Sequence, residues 1–218
     1  MKTSFKKLGC AIAAVSALSA VTSASIADTY EVSITNATQG QAFTPRLVVT
    51  HPAGKLFNVG RPALSQLEII AEGGDIGPLM DVLAASPAFT GDMQVGEGLL
   101  MPGETSTVTI EGQPGEFVSL VNMLIPTNDA FVGVNAVTLP ASGHVTVNAV
   151  AYDAGTETND ELCANIPGPV CGGAGGSPED AGEGFISVHP GIHGTGDLEA
   201  ENYDWRNPVA IVKISWIQ

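Results

Sequence analysis

The sequence predicts an all-β domain, an antiparallel sandwich interrupted by one short helical insertion. Three observations carry this expectation. Apolar and polar residues alternate with period two in several separate stretches, 26 glycines and 14 prolines supply turns and break helices, and helical spacing occurs in one place only. Tyr30, Val32 and Ile34 alternate with Glu31, Ser33 and Thr35, and Val108 and Ile110 alternate with Thr107, Thr109 and Glu111. Val145, Val147, Ala149 and Ala151 alternate with His144, Thr146, Asn148 and Tyr152, and Ala210, Val212, Ile214 and Trp216 share one face at the end of the chain. These are strands with one buried face. The stretch from Phe117 to Ile125 is apolar almost throughout, as in a central strand covered on both faces. The helical stretch begins at Pro62, runs through Leu64, Leu67 and Ala71 and stops at Gly73-Gly74, after which Asp75 is placed to cap a second short helix through Ile76, Leu79 and Leu83.

Charge narrows the partners. The chain has 218 residues with 8 Lys+Arg against 23 Asp+Glu. All 23 acidic residues lie at or after Asp28, with only five basic ones, so that part carries a net charge of −18. Nucleic acid is disfavoured as a partner, because its binding depends on Lys and Arg neutralising phosphates. Such a surface attracts cations, and at 44% hydrophobic residues the chain still builds a core.

Residues 1–27 read as a signal peptide. Lys2, Lys6 and Lys7 precede the apolar, small-residue run from Leu8 to Val21, and Ser25-Ile26-Ala27 places small residues for cleavage before Asp28. The apolar run follows Cys10 instead of preceding it, which excludes a lipoprotein site there, and nothing in the chain is expected to span a membrane. Residues 28–218 then form one domain, expected to be secreted, periplasmic or on the cell surface. Its two cysteines, Cys163 and Cys171, read as a disulfide in an exported chain, with a metal site as the rival. The segment from Asn159 to Gly184, rich in Gly, Pro and acids, reads as a long irregular loop tied by that bridge.

Common enzyme signatures are absent: there is no Gly-x-Ser-x-Gly, no His-Glu-x-x-His and no phosphate-cradling glycine loop. Two clusters carry candidate chemistry. The first joins Pro126-Thr127-Asn128-Asp129-Ala130-Phe131-Val132-Gly133 with Tyr152-Asp153-Ala154-Gly155-Thr156-Glu157, each directly after a strand. Carboxylates at the ends of neighbouring strands can converge on a hard cation; the alternative is that these Asp and Asn residues are ordinary turn formers. The spacing is not that of an EF-hand, since Thr158 stands where that loop needs glycine. The second cluster is His189-Pro190-Gly191-Ile192-His193-Gly194, followed by Asp197 and Asp204, with His51 elsewhere also preceding a proline. His189 and His193 form either a second metal site or a rigid loop whose imidazoles bond to backbone.

The two motifs of the first cluster, with Glu72-Gly73-Gly74-Asp75 and the final Trp205-to-Ile214 segment, resemble the bacterial form of the spondin domain, the N-terminal module of F-spondin and mindin. Ala130 stands where animal members have tryptophan. The resemblance implies a C2-like antiparallel β-sandwich with one bound calcium ion. It implies as ligands Asp129, Asp153, the Ile125 carbonyl and a glutamate, either Glu111 or Glu116. It also implies an extracellular adhesion or recognition module with no enzymatic activity. The expectation is therefore an exported calcium-binding module with an unidentified cell-surface or extracellular ligand. The alternatives are a metal-dependent enzyme using His189 and His193, and a purely structural surface component.

Overall fold

A computed structural model describes residues 27–176 and 182–217, so the expected signal peptide, apart from Ala27, lies outside the described residues. The strands are β1 (Asp28–Asn36), β2 (Ala42–Phe43), β3 (Arg46–His51), β4 (Met93–Gly96), β5 (Thr105–Gly112), β6 (Phe117–Ile125), β7 (Ala130–Thr138), β8 (His144–Asp153), β9 (Ser187–Val188) and β10 (Ala210–Trp216). The helices are α1 (Ser65–Gly73), α2 (Gly77–Ala84) and the single turn α3 (Ala200–Tyr203), with a 3₁₀ turn at Cys163–Asn165. The fold is all-β, as expected. Antiparallel pairing runs in the order β4-β3-β6-β7-β8-β10-β1-β5, with β2 added to β6 and β9 to β8. No described helix is long and apolar enough to cross a membrane.

This sheet nearly closes on itself. Across the gap, β5 is joined by side chains in place of a backbone ladder to β3 and to Asp92, the residue before β4. Arg46 Nη2 donates to Ser106 Oγ at 3.0 Å, Thr50 Oγ1 to the Glu111 carbonyl at 2.8 Å, and the Glu111 amide to Asp92 Oδ2 at 2.9 Å. Occupying strand edges in this way removes a template for unwanted pairing. Arg46 is buried at the seam, pairs with no carboxylate among the described residues and donates to the carbonyls of Glu97 and Gly98. Gly96 makes room for it, since a Cβ there would sit 2.8 Å from its guanidinium.

Period two explains the enclosed core. Tyr30, Val32, Ile34, Ile110, Ala149, Ala151, Val212 and Ile214 all point into it, whereas Trp216, expected on that face, is exposed at the sheet's end and donates from Nε1 to Asp28 Oδ2. Strand β6 is apolar on both faces because both are covered. Leu120 and Leu124 face the enclosed core, while Val121, with Leu47, Val49 and Phe131, lies under Leu67, Ile70, Leu79 and Leu83 of the helices. Burying each such side chain contributes roughly 1.5–3 kcal/mol.

Both helices form, with shifted starts. The first begins at Ser65, because Leu64 is extended at ψ 149°, and ends at Gly74 with φ 70°, a left-handed cap that glycine adopts freely. The second begins at Gly77, and Asp75 Oδ1 accepts the Gly77 amide from just outside the helix at 2.9 Å. Strands β3, β4 and β7 carry no clean alternation. The residues directly after Asp129 are the first residues of β7.

The Cys163–Cys171 disulfide is formed. Its closed loop is short, so its entropic contribution is about 2–3 kcal/mol. Cys163→Ser is therefore expected to lower the melting temperature by several degrees and leave the circular dichroism spectrum unchanged.

Candidate functional site

The turn between β6 and β7, the end of β8 and the loop after it meet at one end of the sheet. Ala130 pairs with Asp153, which places Asp129 and Asp153 side by side. Both are buried, Asp129 completely. The Asp153-Ala154-Gly155 turn closes on its own side chain, with Asp153 Oδ1 accepting the Gly155 amide at 2.6 Å. The next two residues then turn their amides onto the neighbouring carboxylate: Asp129 Oδ2 accepts from Thr156 N at 2.8 Å and from Glu157 N at 3.2 Å. Asp129 Oδ1 is buried with no hydrogen-bond partner among the described residues.

Two adjoining carboxylates with this little solvent cannot both ionise at low cost. Burial pushes the Asp129 carboxyl up, against the pull of the Thr156 and Glu157 amides. Burial and then the Asp129 charge push Asp153 up to about 7. Glu183 adds like charge to both. Glu157, fully buried, and Glu72, nearly so, also lie here, and the Thr156 hydroxyl bonds both Asp129 and Glu72. The sequence motif contained Glu157 and Thr156, but nothing in their spacing marked them as neighbours of Asp129; the helix junction brings in Glu72.

The structure does not bring Glu111 or Glu116 to this site. The 113–116 turn returns the chain directly from β5 to the start of β6, so both glutamates lie near Phe117, with Asp92 and Gln113 around them. Asp129 follows the opposite end of that nine-residue strand, about 25–30 Å away at 3.3 Å per residue. Ile125 closes β6 four residues before Asp129, on the correct side. Among the described residues no group of three or more His, Cys, Asp or Glu side chains is arranged to hold a metal. Asp129 and Asp153, with Glu157 and Glu72 close by and the backbone carbonyls of the turns, offer this end oxygen donors only, the kind a hard cation takes.

His189 is connected to the same site, a link the sequence concealed. Its Nδ1 accepts the Gly191 amide at 3.0 Å, which leaves the proton on Nε2 to be donated to Asn159 Oδ1 at 3.0 Å. Asn159 Nδ2 donates in turn to Asp153 Oδ2 at 2.6 Å. With both nitrogens engaged and its ring 5.0 Å from that of Trp205, His189 is a structural element of a rigid loop. His193 is exposed and is held through its backbone, whose amide donates to Glu161 Oε1. Asp197 accepts the Cys163 amide and Asp204 the Ile192 amide, so these acids staple loops. His51 lies elsewhere, buried between the Ala53 carbonyl and Ser119 Oγ.

Burial, then the His193 charge, pushes His189 down to about 4 from an ordinary 6.5. The folded state thus binds fewer protons than the unfolded one between those values. The stability this group contributes is present above about pH 6.5 and is lost as pH falls towards 4, by up to roughly 3 kcal/mol. Urea titrations of the wild type and His189→Gln across this range should converge as the pH falls.

Comparison with known proteins finds no family model that matches the chain and no curated protein that matches it.

Proposed function

We propose that this protein is exported, binds one calcium ion at the Asp129–Asp153 end of its sheet, and works as a binding or adhesion module at the cell surface or outside the cell. The observation that carries the reading is the fully buried Asp129 oxygen without a hydrogen-bond partner, beside a second buried carboxylate. A divalent cation offsets both the burial and the mutual repulsion of this pair. Asp129 and Asp153 are the anionic ligands, with backbone carbonyls such as that of Ile125 supplying neutral oxygens; Glu111 is not part of the set. The ion would fix the β6–β7 turn to the loop after β8. The disulfide fits an oxidising compartment, and the resemblance to spondin domains points the same way. No chemistry is assigned to the histidine loop, because both nitrogens of His189 are committed to the fold.

Thermal melting with calcium and with EDTA tests the metal. Saturation to about 100 times the dissociation constant stabilises by about 2.7 kcal/mol, or roughly 5–10 °C for a domain of this size. Equal melting temperatures in the two conditions would leave the carboxylates as turn residues only.

A further inference from the structure

Strands β7 and β8 separate part-way along their length. They pair from Ala130 with Asp153 to Gly133 with Val150; beyond that point β7 follows β6 to Thr138, and β8 follows β10 back to His144. The cause is a bulge in β7. Val134 faces Leu120 and Val137 faces Val118, so Asn135 and Ala136 together oppose Ser119. Ala136 takes the left-handed φ of 56°, and its amide donates to Ser119 Oγ at 2.8 Å, whose hydroxyl is held by His51. Asn135 is fixed from outside by the Leu56 amide and the Phe57 carbonyl. A bulge secured by buried polar groups is a built feature that re-aims a strand.

The resulting fork holds a cleft of about 430 Å³, lined among others by Lys55, Val134, Val137, Val147, Asn148 and Tyr152. Its β8 wall is an open strand edge. The Gly143 and Ala151 carbonyls accept from Trp216 and His189, so the odd-numbered residues of β8 aim their peptide groups towards β10 and β9. The even-numbered ones aim the other way. Val150 and Tyr152 meet β7 there, but the peptide groups of His144, Thr146 and Asn148 meet no strand among the described residues. Below this edge Val137, Val145 and Val147 pack on the core while only partly buried. The cleft lining includes Lys55 and no Asp or Glu, whereas the other three cavities described are lined by Asp92 and Glu111, by Asp204, and by Glu72 and Asp75.

From this we infer that the fork is a docking site for an extended, acidic segment of a partner protein, which adds to β8 as a strand. Only an extended backbone presents donors and acceptors at the repeat of His144, Thr146 and Asn148. Alternate side chains of the added strand would cover Val145 and Val147 or stand beside Thr146 and Asn148, and its carboxylates meet Lys55 in the one described cleft free of acidic side chains. The site is separate from the calcium reading and does not rest on it.

Amide hydrogen exchange followed by NMR on the protein, in calcium and in EDTA, tests this. The amides of His144, Thr146 and Asn148 are expected to exchange roughly tenfold or more faster than those of Val145 and Val147. An acetylated, amidated Thr-Val-Glu-Val-Thr-Val-Glu peptide is expected to slow them. The same peptide N-methylated at alternate amides is not, and Lys55→Glu should weaken binding about fivefold or more. Protection of the three amides in the free protein would overturn the proposal. So would equal binding of the N-methylated peptide, or a galacturonic acid oligomer shifting these resonances where the peptide does not. Recording both metal conditions keeps the two readings separable, because this result depends on the peptide and the other on the ion.

Discussion

Asp129→Asn is expected to raise the melting temperature in EDTA and to lower it in calcium relative to the wild type. The three donors on Asp129 Oδ2, from the Thr156 amide and hydroxyl and the Glu157 amide, can all be kept by the amide oxygen of asparagine. The oxygen without a partner becomes an N–H₂ group beside Asp153, so a repulsive neighbour turns into a donor. Without metal this should stabilise by about 1–2 kcal/mol, most clearly above about pH 7, where Asp153 is ionised. Asp153 supplies the sign of the pH dependence. Its folded-state value is raised from 3.8 to about 7, so protonation favours folding. That contribution is fully present below about pH 3.8 and disappears as pH rises through about 7. In calcium the wild type gains the ion's binding energy and the variant, with one anionic ligand fewer, does not. The opposite signs in the two conditions separate a ligand from a merely buried carboxylate, since replacing a merely buried carboxylate raises stability in both.

Gly155→Val is expected to cost about 3 kcal/mol or more, enough to abolish the folded state or leave a protein without calcium-dependent stability. Gly155 has φ 70°, a region that valine enters only under strain, and a Cβ there would lie 2.4 Å from the Phe185 carbonyl oxygen. That oxygen is backbone and cannot rotate away. The Gly155 amide bonds Asp153 and its carbonyl accepts the Gly184 amide, so the substitution also displaces the loop that brings Thr156 and Glu157 to Asp129. Gly60→Ala serves as the control. It too has positive φ, but a Cβ there meets nothing within 4 Å, so denaturant titration should show a much smaller loss.

The period-two segments were legible because each has one face on the enclosed core and one in water: β1, β5, β8 and, as far as Ile214, β10 follow the expected alternation. Strand β6 was legible as an apolar run, since helices cover its outer face. Strand β3 was not, because Arg46 and His51, polar residues at its two ends, are both buried by specific partners, a carbonyl cluster and Ser119. Nor was the bulge at Asn135-Ala136, as nothing local marks Ala136 for a left-handed conformation that a distant serine stabilises. At the candidate site, Asp129 and Asp153 were found because strand ends carry turn residues. Glu111 was misplaced because order along the chain does not say which end of a sheet a strand end reaches. The Asp153–Asn159–His189 chain joins residues 36 positions apart through an asparagine that looked like any loop residue.

Isothermal titration calorimetry of the metal-stripped protein with calcium, in two buffers of different ionisation enthalpy, bears most directly on the central claim. One calcium ion per chain is expected. Protons should be released on binding at about pH 6, where Asp153 is largely protonated, and affinity should rise as the pH passes about 7. Asp129→Asn should remove the heat. No calcium heat for the wild type, or an unchanged titration for the variant, would contradict the account.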